Sequence, residues 1–223
     1  IVPSIENPTK YFIANYMGTL NLLTTIQNLN LRKFIYAASS SCYGLAEVPT
    51  SEDNQIDTKY PYAITKYQAE QLTMHWHSVY GLKANSIRIF NAYGTRSRTT
   101  GAYGAVIGTF LKQKLSGHPY TVVGDGNQKR DFIYVTDLVK AFFLAATHDE
   151  VIGEIFNIGN SNPRSINELV SLLEGDVVYI PKRPGEPDIT HADITKARNL
   201  LNWSPEISLE DGIKIVLENI EYW

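Results

Sequence analysis

The feature that most constrains the fold is an apolar strand, a long helix and a second apolar strand that follow one another along the chain. Residues 34–38 form a short continuous apolar run, which is typical of a strand buried on both faces of a sheet. Pro61 can open a helix, because its missing N–H costs nothing at the first helical position, and Gly81 can end that helix. Residues 86–90 are the next candidate strand. Strand, helix and strand in this order predict a parallel, doubly wound α/β sheet.

Local signals predict further elements on both sides of this unit. Asn7 can cap a first helix with Pro8 at its first position. Thr136 can cap a later helix, and Ser165 with Glu168 forms a capping box before another. The remaining segments are helices near 105–115, 136–146, 194–201 and 208–222, and strands near 120–123 and 154–158.

The order of these elements predicts two lobes that are interleaved in sequence. Residues 1–92, with return segments near 131–160, form the sheet lobe. Residues 93–130 and 161–223 form a smaller, mostly C-terminal α/β lobe that binds the substrate. We expect the ligand in the cleft between them, since ligands bind outside the carboxyl ends of parallel strands.

Composition excludes several classes of function. A net charge of -3 leaves no basic surface for nucleic acid. No apolar run is long enough to cross a membrane, and the N-terminus lacks a signal pattern. Cys42 is the only cysteine, and the five histidines show no ligand spacing, so we expect no disulfide and no metal site. A cytoplasmic enzyme is the default expectation.

Tyr62 and Lys66 are four residues apart at the start of the helix opened by Pro61, so they share one helix face. A lysine ammonium close to a phenol stabilises the phenolate, which lets a tyrosine act as a base nearer neutral pH. Taken alone, the pair is also typical of an ordinary solvated helix face.

Three serines, Ser39, Ser40 and Ser41, follow the first predicted strand, where they could simply form a turn. A hydroxyl at a strand end, followed by Tyr-x-x-x-Lys at a helix start, resembles the Ser–Tyr–Lys triad of the short-chain dehydrogenase/reductases. Residues 41–44 (Ser-Cys-Tyr-Gly) and 60–66 (Tyr-Pro-Tyr-Ala-Ile-Thr-Lys) are similar to the extended branch of that family, which modifies nucleotide sugars.

The resemblance implies a partial Rossmann sheet and a role for each of these residues. By its position before Tyr43-Gly44, Ser39 is the catalytic hydroxyl, with Tyr62 and Lys66 as the other members of the triad. All three would also contact NAD. Ser40 and Ser41 would line the sugar pocket.

Further segments extend the resemblance toward the end of the chain. In residues 88–94 the strand end would meet the nicotinamide at Phe90, and Asn91 would bind the diphosphate. By itself, Asn91 is typical of a turn that ends a strand. In residues 124–132 the matching arginine is Arg130, which would bind the diphosphate; its alternative role is a surface ion pair with Asp131.

A third matching segment, residues 183–186, places Arg183 on the diphosphate and Glu186 on the nucleoside ribose. The family's position facing the sugar C2 substituent lies four residues after that acid and falls on Thr190. Because threonine is much smaller than tyrosine, the resemblance implies room for an N-acetyl group. Residues 192–197 and 203–205 complete the pattern.

One part of the family pattern does not occur in this sequence. The glycine-rich turn that receives the dinucleotide pyrophosphate is missing, and so is the acid that would hold the adenosine ribose. Gly101, Gly104 and Gly108 have the wrong spacing and follow no strand. We therefore expect that the N-terminal part of the cofactor lobe is absent and that this polypeptide alone does not bind NAD with normal affinity.

The resemblance implies a 4-epimerase that uses NAD and acts on a UDP-hexose or a UDP-N-acetylhexosamine. A 4,6-dehydratase would need an Asp-Glu pair directly after the catalytic hydroxyl, where this chain has Ser40 and Ser41. A UDP-glucuronate decarboxylase is a further alternative, suggested by the basic residues in segment 95–98. An inactive fragment that only binds nucleotide sugars is the non-enzyme alternative. The family also implies a homodimer through the helices near 8–29 and 61–80.

Overall fold

The computed structural model describes residues 2–97, 106–182 and 186–220. The strands are β1 (Phe34–Ser39), β2 (Ala84–Ile89), β3 (Ala92–Tyr93), β4 (Tyr120–Val123), β5 (Lys129–Arg130), β6 (Ile133–Tyr134), β7 (Ile155–Ile158), β8 (Arg164–Ser165) and β9 (Val177–Ile180). The α-helices are α1 (Val2–Glu6), α2 (Pro8–Tyr11), α3 (Gly18–Ile26), α4 (Pro61–Tyr80), α5 (Val106–Leu115), α6 (Val135–Thr147), α7 (Ile166–Leu173), α8 (Thr195–Leu201) and α9 (Leu209–Glu218).

The central sheet has the strand order β1-β2-β7, and both pairs are parallel. Ser39 pairs with Ile89, so β1 and β2 end at the same edge of the sheet. The described residues also form three separate pairs of strands, β3 with β6, β4 with β9 and β5 with β8. The predicted α/β class with a parallel sheet is confirmed, and the predicted lobe boundaries stay a prediction.

Helix α4 joins β1 to β2 and has the predicted bounds. Pro61 occupies its first turn, and Gly81 ends it in the left-handed conformation with a φ of 72°. The helix predicted after Asn7 also begins there, as α2, since the Asn7 side chain accepts a hydrogen bond from the Lys10 backbone N–H. Its middle, Phe12–Met17, is a π-helix that joins α2 to α3, which the apolar spacing did not predict.

Two local predictions are wrong. Strand β1 is not buried on both faces, because Ala37 is exposed. Tyr36 and Ala38 pack under Ala69 of α4 on one face, whereas on the opposite face α6 leaves Ala37 uncovered. Thr136 does not cap α6, since this helix begins one residue earlier and has no side-chain cap.

The two largest of four apolar clusters among the described residues form the main cores of the structure. The first lies on the central sheet and includes the fully buried side chains of Ile87, Phe156 and Trp203. The second packs α5, α7 and α9 around β4 and includes Phe110 and Leu169. Within the described ranges, no helix has the length and apolarity to cross a membrane.

Candidate active site

A cleft of about 580 Å³ opens at the carboxyl ends of β1 and β2. It brings together most of the residues that the sequence motifs predicted for the site. Those lining it are Ser39, Ser40, Ser41, Tyr62, Phe90, Asn91, Arg130, Glu186 and Thr190. Lys66 is not among the lining residues, and Arg183 falls outside the described residues.

Ser39 is held at the edge of the sheet by the turn that follows it. It is the last residue of β1, and its hydroxyl accepts a hydrogen bond from the Ser41 backbone N–H at 3.2 Å. This bond starts a short 3₁₀ turn over Ser40–Tyr43. The Ser41 hydroxyl is buried and has no hydrogen-bond partner among the described residues, so it remains available to a ligand.

Tyr62 lies in the first turn of α4, where it is half-buried and contacts Tyr11 edge to face at 6.2 Å between ring centroids. Lys66 follows one turn later, with its ammonium 4.6 Å from the centroid of the Tyr36 ring. Burial lowers the pKa of Lys66 to about 8, and the nearby Glu70 carboxylate opposes this shift. Lys66 is therefore a partly desolvated cation that does not line the cleft.

A buried ion pair fixes α4 on the sheet. Glu70 of α4 and Arg88 of β2 are 2.7 Å apart at their closest atoms, and both side chains are almost fully buried. The Arg88 guanidinium also donates to the Tyr43 hydroxyl at 2.7 Å, while Ser86 donates to Glu70 at 2.9 Å. Sequence reasoning gave no role to this pair, although a charged residue inside an apolar strand was a usable signal.

Arg130 reaches the cleft from β5 and pairs with Glu186. Its guanidinium lies 3.7 Å from the Glu186 carboxylate and donates to the Pro187 carbonyl at 2.8 Å. Burial lowers the pKa of Arg130. The alternative of a surface ion pair with Asp131 is wrong, because the buried Asp131 carboxylate accepts hydrogen bonds from backbone N–H groups instead.

Asn91 lies between β2 and β3, two residues after Ile89, and has both a strand-end contact and a side chain in the cleft. Its backbone carbonyl accepts a hydrogen bond from the Ile133 N–H at 3.2 Å, as expected where one strand ends and another begins. Its side chain lines the cleft, and its Oδ1 atom accepts a hydrogen bond from the Thr190 hydroxyl at 3.2 Å.

Tyr60 is a cleft residue that sequence reasoning missed. It precedes Pro61 at the N-cap of α4 and lines the cleft close to Tyr62 and Glu186. Burial, assisted by these neighbours, raises the pKa of Tyr60 to about 12. Its hydroxyl is therefore a neutral hydrogen-bond donor at neutral pH. Its place in the Tyr-Pro-Tyr motif was the available signal.

Comparison with known proteins agrees with this geometry. A sequence profile of the GDP-mannose 4,6 dehydratase family matches residues 1–216, nearly the whole chain. The chain belongs to this family of NAD-dependent epimerases and dehydratases. A UDP-glucuronate 4-epimerase of Thermodesulfobacterium geofontis is 37% identical over 98% of this chain and 69% of its own length.

Solved structures of family members are also similar. A UDP-N-acetylglucosamine 4-epimerase from Methanobrevibacter ruminantium, in complex with UDP-N-acetylmuramic acid, superposes with a TM-score of 0.92 at 30% identity over 100% of this chain and 73% of its own. A UDP-glucuronic acid 4-epimerase from Bacillus cereus, with UDP-glucuronic acid and NAD, gives 0.86 at 34% identity over 93% and 67%. The chain thus spans about two thirds to three quarters of these proteins.

Proposed function

We propose that the protein catalyses NAD-dependent epimerisation at C4 of a nucleotide sugar, a UDP-hexose or a UDP-N-acetylhexosamine, through a 4-keto intermediate. One observation carries the proposal: a single cleft joins the Ser39 and Tyr62 hydroxyls to the Arg130 guanidinium and the Asn91 amide. A proton-transfer group and diphosphate-binding groups in one cavity are what this reaction requires. UDP is favoured because the similar epimerases are named for UDP-sugars.

The cleft fits the nicotinamide end of NAD. Phe90 offers an apolar wall, and Ser39 and Tyr62 offer hydroxyls. The buried Ser41 hydroxyl, which no described residue satisfies, stays assigned to the adjoining sugar pocket. We assign Ser39, Tyr62, Lys66 and Phe90 to this contact. When bound, NAD supplies the reversible acceptor of the C4 hydride, which the side chains of the chain cannot supply.

Tyr62 is proposed as the base that removes the proton of the sugar 4-hydroxyl, and as the acid that returns it to the 4-keto oxygen. Ser39 donates a hydrogen bond to the reacting oxygen and stabilises the charge that develops there. Lys66 carries its positive charge one turn behind Tyr62 and so lowers the free energy of the phenolate. Between the removal and the return of this proton the keto sugar turns over in the cleft, so the configuration at C4 is inverted.

The nucleotide end is proposed to bind on the opposite side of the cleft. Arg130, Asn91 and Arg183 bind the diphosphate, and Glu186 binds the ribose. A guanidinium fork suits phosphate oxygens, and burial strengthens its attraction for an anion. At 3.7 Å the Arg130–Glu186 ion pair is longer than a hydrogen bond, so a diphosphate can replace Glu186 as the partner of Arg130.

Dehydration is not favoured by this cleft. Elimination of water needs an acid and a base in addition to the tyrosine, and the two positions after Ser39 are Ser40 and Ser41, which carry no carboxylate. Within the chain itself, the argument for decarboxylation is the basic segment 95–98, whose Arg96 is exposed and whose Arg98 lies outside the described residues.

The deciding experiment follows a UDP-sugar by NMR after incubation of the full-length protein with NAD. Epimerisation gives a new UDP-sugar inverted at C4, with no net formation of NADH. A 4-keto-6-deoxy sugar would show a dehydratase instead, and a pentose with released carbon dioxide would show a decarboxylase. Sugar binding without any product would support the non-enzyme alternative.

We further propose that the enzyme is a cytoplasmic homodimer that associates through the helices near 8–29 and 61–80. Exposed apolar side chains on the first of these helices, among them Ile13, Met17 and Leu22, support the proposal, because association would bury them.

The size of the accepted sugar is proposed to depend on Thr190. A Thr190→Tyr variant should lose activity on the N-acetylated sugar and keep it on the plain hexose, since the larger ring fills the space of the acetamido group. We expect the ratio of kcat/KM for the two sugars to change by about tenfold or more. Thr190→Val is the matched control, because it removes the same hydroxyl and adds no bulk. An unchanged ratio in Thr190→Tyr would mean that Thr190 does not determine the size of the accepted sugar.

A further inference from the structure

The Thr190 hydroxyl makes two hydrogen bonds whose directions can be assigned. It accepts from the Asp131 backbone N–H at 3.1 Å and lies 3.2 Å from Asn91 Oδ1. An amide N–H can only donate, so the hydroxyl accepts in the first bond. The amide oxygen Oδ1 can only accept, so the hydroxyl uses its own proton in the second bond. Thr190 therefore donates to the carbonyl oxygen of the Asn91 side chain.

This bond determines which end of the Asn91 amide faces the ligand. With Oδ1 turned to Thr190, the Nδ2 group lies on the other side of the amide. Nδ2 has no protein hydrogen-bond partner in the part of the chain that the structure describes, and Asn91 lines the cleft. Its two N–H donors are thus available to an anionic oxygen, in the same cleft as the Arg130 guanidinium.

The Thr190 hydroxyl is itself held in a rigid setting. The Asp131 carboxylate, which is fully buried, accepts hydrogen bonds from the backbone N–H groups of Asn160 at 2.6 Å and Ala192 at 2.8 Å. The Thr190 N–H donates to the Lys129 carbonyl at 3.1 Å. Because the backbone on both sides is fixed, the hydroxyl is in place before any ligand binds.

We infer that Thr190 is a positioning residue for nucleotide binding, which holds the Asn91 amide with its N–H₂ group toward the diphosphate. The inference rests on the proposed function and gives Thr190 a second role, which it exerts through the Asn91 amide and not through its own contact with the diphosphate. Without the hydroxyl, the amide can turn its carbonyl oxygen to the cleft, where it repels an anion. The loss of one donor to a charged group predicts affinity for a nucleoside diphosphate about tenfold weaker.

The test measures UDP binding to the full-length protein by titration calorimetry. Thr190→Val keeps the shape and removes the hydroxyl, and we expect its Kd for UDP to rise about tenfold. Thr190→Ser keeps the hydroxyl and should bind within about twofold of the unaltered protein. In an Asn91→Ala background, Thr190→Val should have no further effect, since there is no amide left to position.

Each other outcome has one meaning. If Thr190→Val binds UDP as well as the unaltered protein, or weakens binding equally in the Asn91→Ala background, the inference is wrong and the proposed function stands. If the unaltered protein does not bind UDP, the proposed function fails and the inference with it. Thr190→Ala provides the same measurement if the valine variant does not fold.

Discussion

Tyr62 carries its hydroxyl in the first turn of α4, where the ring packs edge to face on Tyr11. Tyr62→Phe keeps this packing and removes only the group proposed to transfer the proton. We expect kcat to fall about 100-fold or more, because general acid–base catalysis contributes at least that much. The Kd for the UDP-sugar, measured by calorimetry, should stay within about twofold, since the hydroxyl acts mainly in the transition state.

Tyr67→Phe is the matched control for this variant. Tyr67 lies on the same helix, is half-buried against the first core and does not line the cleft. The same chemical change there should leave turnover nearly intact. Turnover of Tyr62→Phe within a few-fold of the unaltered enzyme would remove Tyr62 from its proposed role.

Lys66 gives a prediction about pH that needs no substrate. Burial lowers its pKa from 10.5 to about 8, so the folded chain releases this proton earlier than the unfolded chain. Between pH 8 and 10.5 the unfolded state binds more protons at this site, and the contribution of Lys66 to stability should rise with pH. Below pH 8 both states are protonated, and the contribution should be constant.

The measurement is an NMR titration of the lysine ¹³Cε signals in the folded protein. One signal should titrate near pH 8, and it should be missing from a Lys66→Met variant. The signal absent from Lys66→Met is that of Lys66. If it titrates near 10.5 in the unaltered protein, Lys66 is not desolvated, which would contradict the structure.

The contact of α4 with the sheet depends on the Glu70–Arg88 pair. Both charges are buried, so removing one of them leaves the other without compensation. We expect Glu70→Gln to lower the free energy of unfolding by about 3–5 kcal/mol, measured by urea denaturation. Ser86→Ala, which removes one hydrogen bond to the same carboxylate, should cost about 1 kcal/mol. This account would be contradicted if Glu70→Gln lowered the free energy of unfolding by less than Ser86→Ala does.

Sequence signals predicted the elements whose ends are specified locally. Pro61 and Gly81 place the bounds of α4, and Ser165 with Glu168 forms the predicted capping box. The two-residue strands β3, β5, β6 and β8 were not predictable in this way. Such short pairs have no periodicity of their own and form only because distant parts of the chain meet.

The cleft likewise combines residues that local motifs predict with contacts that only the fold creates. The motifs named its lining residues because each motif is local, and the structure brings every one of them that it describes, except Lys66, to one cavity. The contact of Thr190 with Asn91 joins residues 99 positions apart, and that of Arg88 with Glu70 joins residues on two elements. No local pattern contains such pairs, so their roles became apparent only from the fold.

At the scale of the whole molecule, the cleft and the proposed interface on the helices near 8–29 and 61–80 share helix α4. Helix α4 connects them, since its first turn carries Tyr62 and its length packs against α3 and the π-helical segment. An interface on these helices would hold α4 in place. Assembly is thus expected to support the site through the position of α4.

Ile13 offers the sharpest test of the proposed homodimer. Ile13 is 61% exposed on the π-helical segment, close in sequence to the exposed Met17, and association would bury this apolar surface. We expect the unaltered full-length protein to be a dimer by light scattering at micromolar concentration. Ile13→Glu should be monomeric, because a buried carboxylate without a partner opposes association. Leu115→Glu is the matched control, since Leu115 is 50% exposed at the end of α5, away from both helices, and the variant should remain dimeric. A monomeric unaltered protein, or an Ile13→Glu variant that dimerises as well as the control, would contradict the proposed interface.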